Sequence, residues 1–319
     1  MCIALISTAH PSYSLILLDN RDEFLNRPTA PAEWWPSPNS HVLGGRDLLR
    51  DAQGTWLAVT RDGRIAVLTN FRENTEVAVG AQSRGGMVKA FLTGSDTVKQ
   101  TTEEFAKGLV ASGAPQSVGG FSLVCGRIGQ PLAVISNRVT SEKGISWIAG
   151  ERAETVGLSN AAYGDRSWAK VVSGEKLLEE AIETSTKQGE NEEQIIQRFL
   201  VLLSRDTLPK EKNPEDGLET HIDQLRNTIF VPTLGRREVQ TKSPEELRAA
   251  NTKEKAKVVE KVVPGDCMSG LYGTQKQTVI LVKHDGRVRF FERTLFDRHS
   301  APIPEGNGDI DIEFNIVKQ

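Results

Sequence analysis

Cys2-Ile3-Ala4-Leu5-Ile6, His10-Pro11-Ser12-Tyr13 and Ser14-Leu15-Ile16-Leu17-Leu18-Asp19-Asn20-Arg21-Asp22-Glu23 open this chain. Two apolar runs parted by a short polar stretch containing proline read as a β-hairpin whose strands are buried on both faces. Side chains alternate along a strand, so Asn20 and Asp22 share one face and Arg21 and Glu23 the other. The return strand carries these groups back toward position 2. Cytosolic processing removes Met1 ahead of a residue as small as cysteine, which leaves Cys2 with an α-amine beside its thiol. The amine can take the thiol's proton, so nucleophile and base sit on one residue. Their ordinary pKa values, about 7.7–8.0 and about 8.5, ease that exchange near neutrality. Without such chemistry, a cysteine at this place is a small core residue, and Arg21 beside carboxylates is a solvated pair.

Further motifs follow in a fixed order. They are Arg27-Pro28-Thr29, Trp34-Trp35, Gly44-Gly45-Arg46-Asp47, Gly54-Thr55-Trp56-Leu57-Ala58, Leu68-Thr69-Asn70 and Ser83-Arg84-Gly85. Then come Gly120-Phe121-Ser122-Leu123, Ser136-Asn137-Arg138, Gly157-Leu158-Ser159-Asn160, Thr228-Ile229-Phe230, Tyr272-Gly273-Thr274 and Thr278-Val279-Ile280-Leu281-Val282. With Met1-Cys2-Ile3 and Asn20-Arg21-Asp22-Glu23, the series resembles the transport and Golgi organisation 2 family, also named for its Asn-Arg-Asp-Glu motif. The likeness runs through nearly the whole chain.

That resemblance implies an α+β fold, the four-layer αββα sandwich of the N-terminal-nucleophile hydrolases. Within that superfamily the family is similar to the bile-salt and penicillin V acylases. Those enzymes use an N-terminal cysteine, an arginine and an aspartate after the second strand, and asparagines on later strands. Carried over, Cys2 matches the nucleophile, Arg21 and Asp22 the arginine–aspartate pair, and Asn70 and Asn160 the later asparagines. One departure is plain: the acylases space arginine and aspartate three residues apart, whereas here they are adjacent. The resemblance further implies a role in secretory-pathway and Golgi organisation and in haem or lipid (acyl-CoA) handling. On that reading the partner is a small acyl or haem-like ligand, with haem as cargo and no required cofactor. The setting is cytoplasmic, in association with Golgi or mitochondria. The alternative reading is an active cysteine amidase or acylase that hydrolyses a small acyl-amide or thioester.

Composition narrows the rest. The 319 residues are 38% hydrophobic with a net charge of −3, and the mean hydropathy is −0.35. This suits a soluble chain with one large core, read as a single domain over 1–319. No apolar run approaches the ~18 residues of a membrane span, and no secretory signal is recognisable. The acidic balance argues against a nucleic-acid partner. Three cysteines, at 2, 125 and 267, form no disulfide framework and point to a reducing compartment. The five histidines, at 10, 41, 221, 284 and 299, are scattered, and no CxxC or HExxH motif indicates a metal. No haem-attachment motif is present either.

Along the chain, short strands come first. Thr55 to Thr60 and Arg64 to Thr69 flank the Asp62-Gly63 turn, a strong hairpin signal. Phe121 to Cys125 and Pro131 to Ile135 form a second pair. Helices are expected over Gly86 to Leu92, Thr97 to Ala111, Asp165 through Ile182 with Asp165 as cap, and Asn191 to Leu203. A last hairpin, Thr278 to Val282 and Val288 to Phe291, turns at Asp285-Gly286 and is expected to close one sheet. Between Thr228-Ile229-Phe230 and Tyr272-Gly273-Thr274 lies a charged segment, 232–264, poor in large apolar side chains and read as a flexible insertion. The tail from Ile303 gives no readable function.

Two residue pairs complete the reading. Asn70 and Asn160 each end an apolar run. An asparagine amide can stabilise a developing oxyanion or simply satisfy backbone in a turn. Trp34-Trp35 either walls an apolar pocket or packs a long loop.

Overall fold

The first two strands decide the architecture. In the computed structural model, which describes residues 2–71, 83–94, 100–209, 221–235 and 270–317, β1 (Ile3–Ser7) and β2 (Tyr13–Phe24) form the expected antiparallel hairpin. Ile3 stands opposite Asn20 and Ser7 opposite Ile16. β3 (Thr29–Trp34), β4 (Val42–Asp47), β5 (Leu57–Thr60), β6 (Arg64–Asn70), β7 (Phe121–Arg127), β8 (Leu132–Ser136) and β9 (Ser146–Ile148) then follow one another through a seven-stranded sheet. β10 (Thr155–Leu158), β11 (Tyr272–Lys283), β12 (Arg287–Thr294) and β13 (Asp309–Asn315) join the opening hairpin in a six-stranded sheet ordered β10-β1-β2-β11-β12-β13.

Alternation along β1 and β2 separates two cores. Ala4, Ile6, Leu15 and Leu17 face the other sheet and meet Leu43, Leu57, Val59, Ile65 and Val67. Ile3, Leu5, Ile16 and Leu18 face the opposite way, toward α3 (Ala169–Gln188) and α4 (Glu192–Leu203), where Leu178, Ile182, Ile195 and Phe199 cover them. On the far side, α1 (Arg84–Thr93) and α2 (Thr102–Ala111) pack Val88, Phe91, Ala106 and Val110 on Ala58, Ala66, Leu68 and Leu123. The layers are therefore helix, sheet, sheet, helix, as the resemblance implies.

An ion pair lies in the layer between the sheets. Lys276 Nζ donates to Glu292 Oε1 at 2.7 Å, both side chains being almost wholly enclosed. The Ala32 amide of β3 donates to the same Glu292 oxygen at 2.9 Å, which ties the two sheets together.

Several boundaries differ from expectation. Helix α2 begins at Thr102, because Thr101 and Glu104 close a capping box there; residues 97–99 of the expected helix lie outside the described residues. The expected start of α3 at Asp165 is four residues early. Asp165 accepts the Ser167 amide in a turn, and the helix begins at Ala169. The last hairpin is longer than expected and lies inside its sheet: β11 runs between β2 and β12. The tail supplies a strand after all. In β13, Ile310, Ile312 and Phe314 alternate with Asp309, Asp311 and Glu313, and Arg293 and Arg289 grip Asp309 and Asp311 across the ladder.

The expected insertion at 232–264 also starts too early. Leu234 is buried and exchanges both backbone hydrogen bonds with Tyr272, at 2.8 and 2.9 Å, so 232–235 belong to the fold. Residues 236–264 lie outside the described residues. Trp35 is buried and donates Nε1–H to Gly44 O, while Trp34 packs edge-on against Phe314 under Arg61. Packing is thus what both tryptophans do.

Candidate active site

Cys2 sits one residue before β1, and the register Ile3–Asn20 places it beside Arg21 and Asp22. Its backbone is held by the neighbouring strand. Ser159, which follows β10, donates Oγ–H to Cys2 O at 2.6 Å. The thiol donates to the main-chain carbonyl of Asp22 at 3.7 Å, and the phenol of Tyr272 donates to the same oxygen at 3.1 Å. Burial holds Tyr272 well above its ordinary pKa, so it stays a donor. Removal from water also pushes the Cys2 thiol up, to about 11, with Asp22 and Asp19 adding to the rise and the positive chain terminus opposing it.

The motif following Asp19 divides its duties by face. Asp22 points toward the helices, where Thr274 Oγ1 donates to Asp22 Oδ1 at 2.7 Å. Arg21 turns toward the other sheet. There its guanidinium lies 4.6 Å over the Trp56 ring and donates to Gln275 Oε1. Asn20 takes no position at the thiol. Its amide donates to Leu203 O and Ile229 O, at 2.8 and 2.9 Å, and so secures the end of α4, where helical carbonyls lack intrahelical partners.

The two later asparagines meet. The Asn160 amide donates to the main-chain carbonyl of Asn70, and Ser159 Oγ, already bonded to Cys2 O, lies 3.3 Å from Asn160 Oδ1. The loop after β10 thereby reaches across to the end of β6, where Ser122 Oγ also bonds Ala161 O at 3.0 Å. Cys2, Asp22, Ser159, Asn160 and Asn70 form one connected group at an end of the sandwich. Arg21 stands beside it, held on Trp56.

Two buried ionisable residues in the surroundings of Cys2 escaped the sequence reading. Asp19 lies on the inter-sheet face of β2, fully enclosed, and its Oδ2 meets no hydrogen-bond donor among the described residues. Burial raises its carboxyl well above the usual range, helped by Asp22 and opposed by Arg21. Lys170, in the first turn of α3, is likewise fully enclosed and in the field of Asp22 and Cys2. A signal for Lys170 was present: it stands in line with Gly174, Leu178 and Ile182 on the apolar stripe of the helix. Cys125 is buried in the α1–α2 core, its thiol pushed up to about 12; Cys267 lies outside the described residues. No group of three or more metal-ligating side chains occurs among the described residues, and none of their helices is long and apolar enough to cross a membrane.

Residues 1–297 match the family model described as Transport and Golgi organisation 2. A relative from Bos taurus, "Transport and Golgi organization protein 2 homolog", is 30% identical over 290 residues, 89% of this chain and 87% of that protein. The "Transport and Golgi organization 2 homolog" of Mus musculus is 27% identical over 299 residues, 91% of this chain and 90% of that protein. Among solved structures, the Caenorhabditis elegans N-acylethanolamine-hydrolyzing acid amidase ortholog superposes with a TM-score of 0.43 at 13% identity. That match covers 66% of this chain and 88% of the amidase.

Proposed function

This chain belongs to the transport and Golgi organisation 2 family, and on that premise we propose that it handles an acyl ligand at the Cys2 site, in the service of secretory-pathway organisation. The ligand class is a lipid thioester of the acyl-CoA kind or an acyl amide, with haem as a further cargo of the same family role. Cys2 is the nucleophile. The observation that carries this reading is the convergence of the thiol, the Asp22 and Ser159 anchors and the Asn160–Asn70 pair at one end of the sandwich.

The chemistry follows from Cys2 alone once Met1 is gone. The α-amine takes the thiol proton, and sulfur adds to the acyl carbonyl carbon. The C–N or C–S bond breaks as the leaving group departs with that proton. Water then cleaves the thioester and restores the thiol. The second N–H of the Asn160 amide is a candidate donor for the oxyanion, with the Asn70 side-chain amide as the other.

A second reading, ligand holding without turnover, draws on two observations: the Asn160 amide is already engaged by Asn70 O, and the partly buried thiol resists ionisation. Incubation of Met1-free protein with a panel of acyl amides, acyl thioesters and haem, beside Cys2→Ala, separates the readings. The proposal expects turnover that Cys2→Ala abolishes. Retention of an acyl compound or haem by both proteins without turnover favours the second.

A further inference from the structure

Lys170 takes no part in the chemistry above, and its place is unusual for a lysine. None of its side chain reaches solvent, whereas lysine is almost never fully buried unless paired. Helix α3 carries it on the stripe that continues through Gly174, Leu178 and Ile182, so the face packed on β1 presents an amine at its first position. Gly174 permits the close approach: a Cβ there would stand 3.0 Å from Leu5 Cδ2. The helix thereby sets Lys170 on the helix-facing side of the opening hairpin, the side to which Asp22 points. Burial lowers its affinity for a proton, and the negative charges of Asp22 and Cys2 offset part of that loss. The Trp168 ring lies 5.8 Å from Nζ, a further contact that favours an ammonium.

We infer that Lys170 is a positioning residue of the Cys2 site: its buried ammonium faces Asp22 and the Cys2 sulfur and supplies positive charge to the thiolate. The groups around the sulfur define its task. From β2, Asp22 and Asp19 oppose a thiolate. From β11, the Tyr272 phenol donates to the same carbonyl as the thiol and carries no charge. The chain terminus brings one positive charge, and Lys170 on α3 brings the other. Arg21 from β2 acts on Asp19 and is held over Trp56, so the chain terminus and Lys170 are the two cations set against the Asp22 side of the sulfur. An opposite charge at ~4–6 Å favours the charged form of a group by about 1–3 pKa units. The inference rests on the proposed role of Cys2, but its test uses no acyl substrate.

The test is the pH profile of Cys2 alkylation by iodoacetamide in the full-length chain without Met1, read by peptide mass spectrometry for wild type, Lys170→Met, Lys170→Gln and Lys170→Arg. Each variant is first checked for cooperative thermal unfolding. The neutral variants should shift the midpoint up by about one pH unit or more and slow alkylation at neutral pH by about tenfold. K170R should keep the wild-type midpoint. A folded neutral variant with the wild-type profile overturns the inference, and so does a folded K170R shifted as far as the neutral variants. Where neither neutral variant folds, K170R decides alone. A lysine-dependent profile in a protein that turns over no acyl compound would sink the proposed hydrolysis and leave this inference standing.

Discussion

The Asn20 amide donates to Leu203 O at 2.8 Å, joining the middle of the second strand to the last residue of α4. A second bond, to Ile229 O at 2.9 Å, ties in the segment that leads toward β11. The first residue of the Asn-Arg-Asp-Glu motif therefore serves the fold, although it stands two residues from Asp22.

Asn20→Ala leaves two buried carbonyls without their donor, at a cost of about 1–3 kcal/mol for each orphaned group. Chemical denaturation should show that loss. The iodoacetamide profile of Cys2 should not move in the folded fraction, since Asn20 makes no bond to the thiol's neighbours. A shifted profile with unchanged stability would show that Asn20 belongs to the site instead.

Asp19 gives stability a pH dependence of definite sign. Its carboxyl is held up by burial, so the folded chain keeps a proton that the unfolded chain releases above about pH 4. Stability from this group is full below that point and declines as pH rises toward the folded value. Asp19→Asn removes the decline. The variant should match wild type in acid and unfold at a higher temperature at neutral pH. A wild-type advantage at neutral pH would mean that the Asp19 charge is compensated.

Lys276 and Glu292 form an enclosed ion pair on which the Ala32 amide also depends. Lys276→Met strands a buried carboxylate and should cost about 3–5 kcal/mol. Adding Glu292→Gln removes the charge and keeps an acceptor for Ala32, so the double variant should recover most of the loss in denaturant titrations. Additive losses would show that the two side chains act independently.

Gly235 and Gly270 stand against each other: a Cβ on Gly235, whose φ is +91°, would lie 2.6 Å from Gly270 O. Residues 236–269 thus leave and return at neighbouring points. Joining Gly235 to Gly270 through a short Gly-Ser linker should preserve cooperative thermal unfolding, because closure entropy depends weakly on loop length. Loss of cooperativity would show that the excised segment is part of the core.

Much of the fold was legible where local chemistry decides it. The Asp62-Gly63 and Asp285-Gly286 turns put glycine at φ +82° and +93°, which side-chain-bearing residues rarely adopt, and both hairpins follow. The split faces of Asn20, Arg21 and Asp22 follow from the pleat alone. β13 was legible too, in the alternation of Ile310, Ile312 and Phe314 with acids, but the glycines and prolines before it obscured the signal. The meeting of Asn160 with Asn70 could not be read from spacing, because it depends on how one sheet's edge loop crosses to the other sheet. Asp165 misled because an aspartate that closes a turn and one that caps a helix use the same side-chain bond to nearby amides.

Cys2, freed of Met1, is proposed as an acyl-accepting nucleophile. Its most direct test is acid-quenched mass spectrometry of the Met1-free chain mixed with acyl 4-nitroanilides of increasing chain length. The account expects release of 4-nitroaniline together with an acyl mass on the peptide beginning at Cys2, both absent from Cys2→Ala and from the chain that retains Met1. A folded, Met1-free chain that releases no more 4-nitroaniline than Cys2→Ala and carries no acyl mass on Cys2 with any member of the series would contradict it.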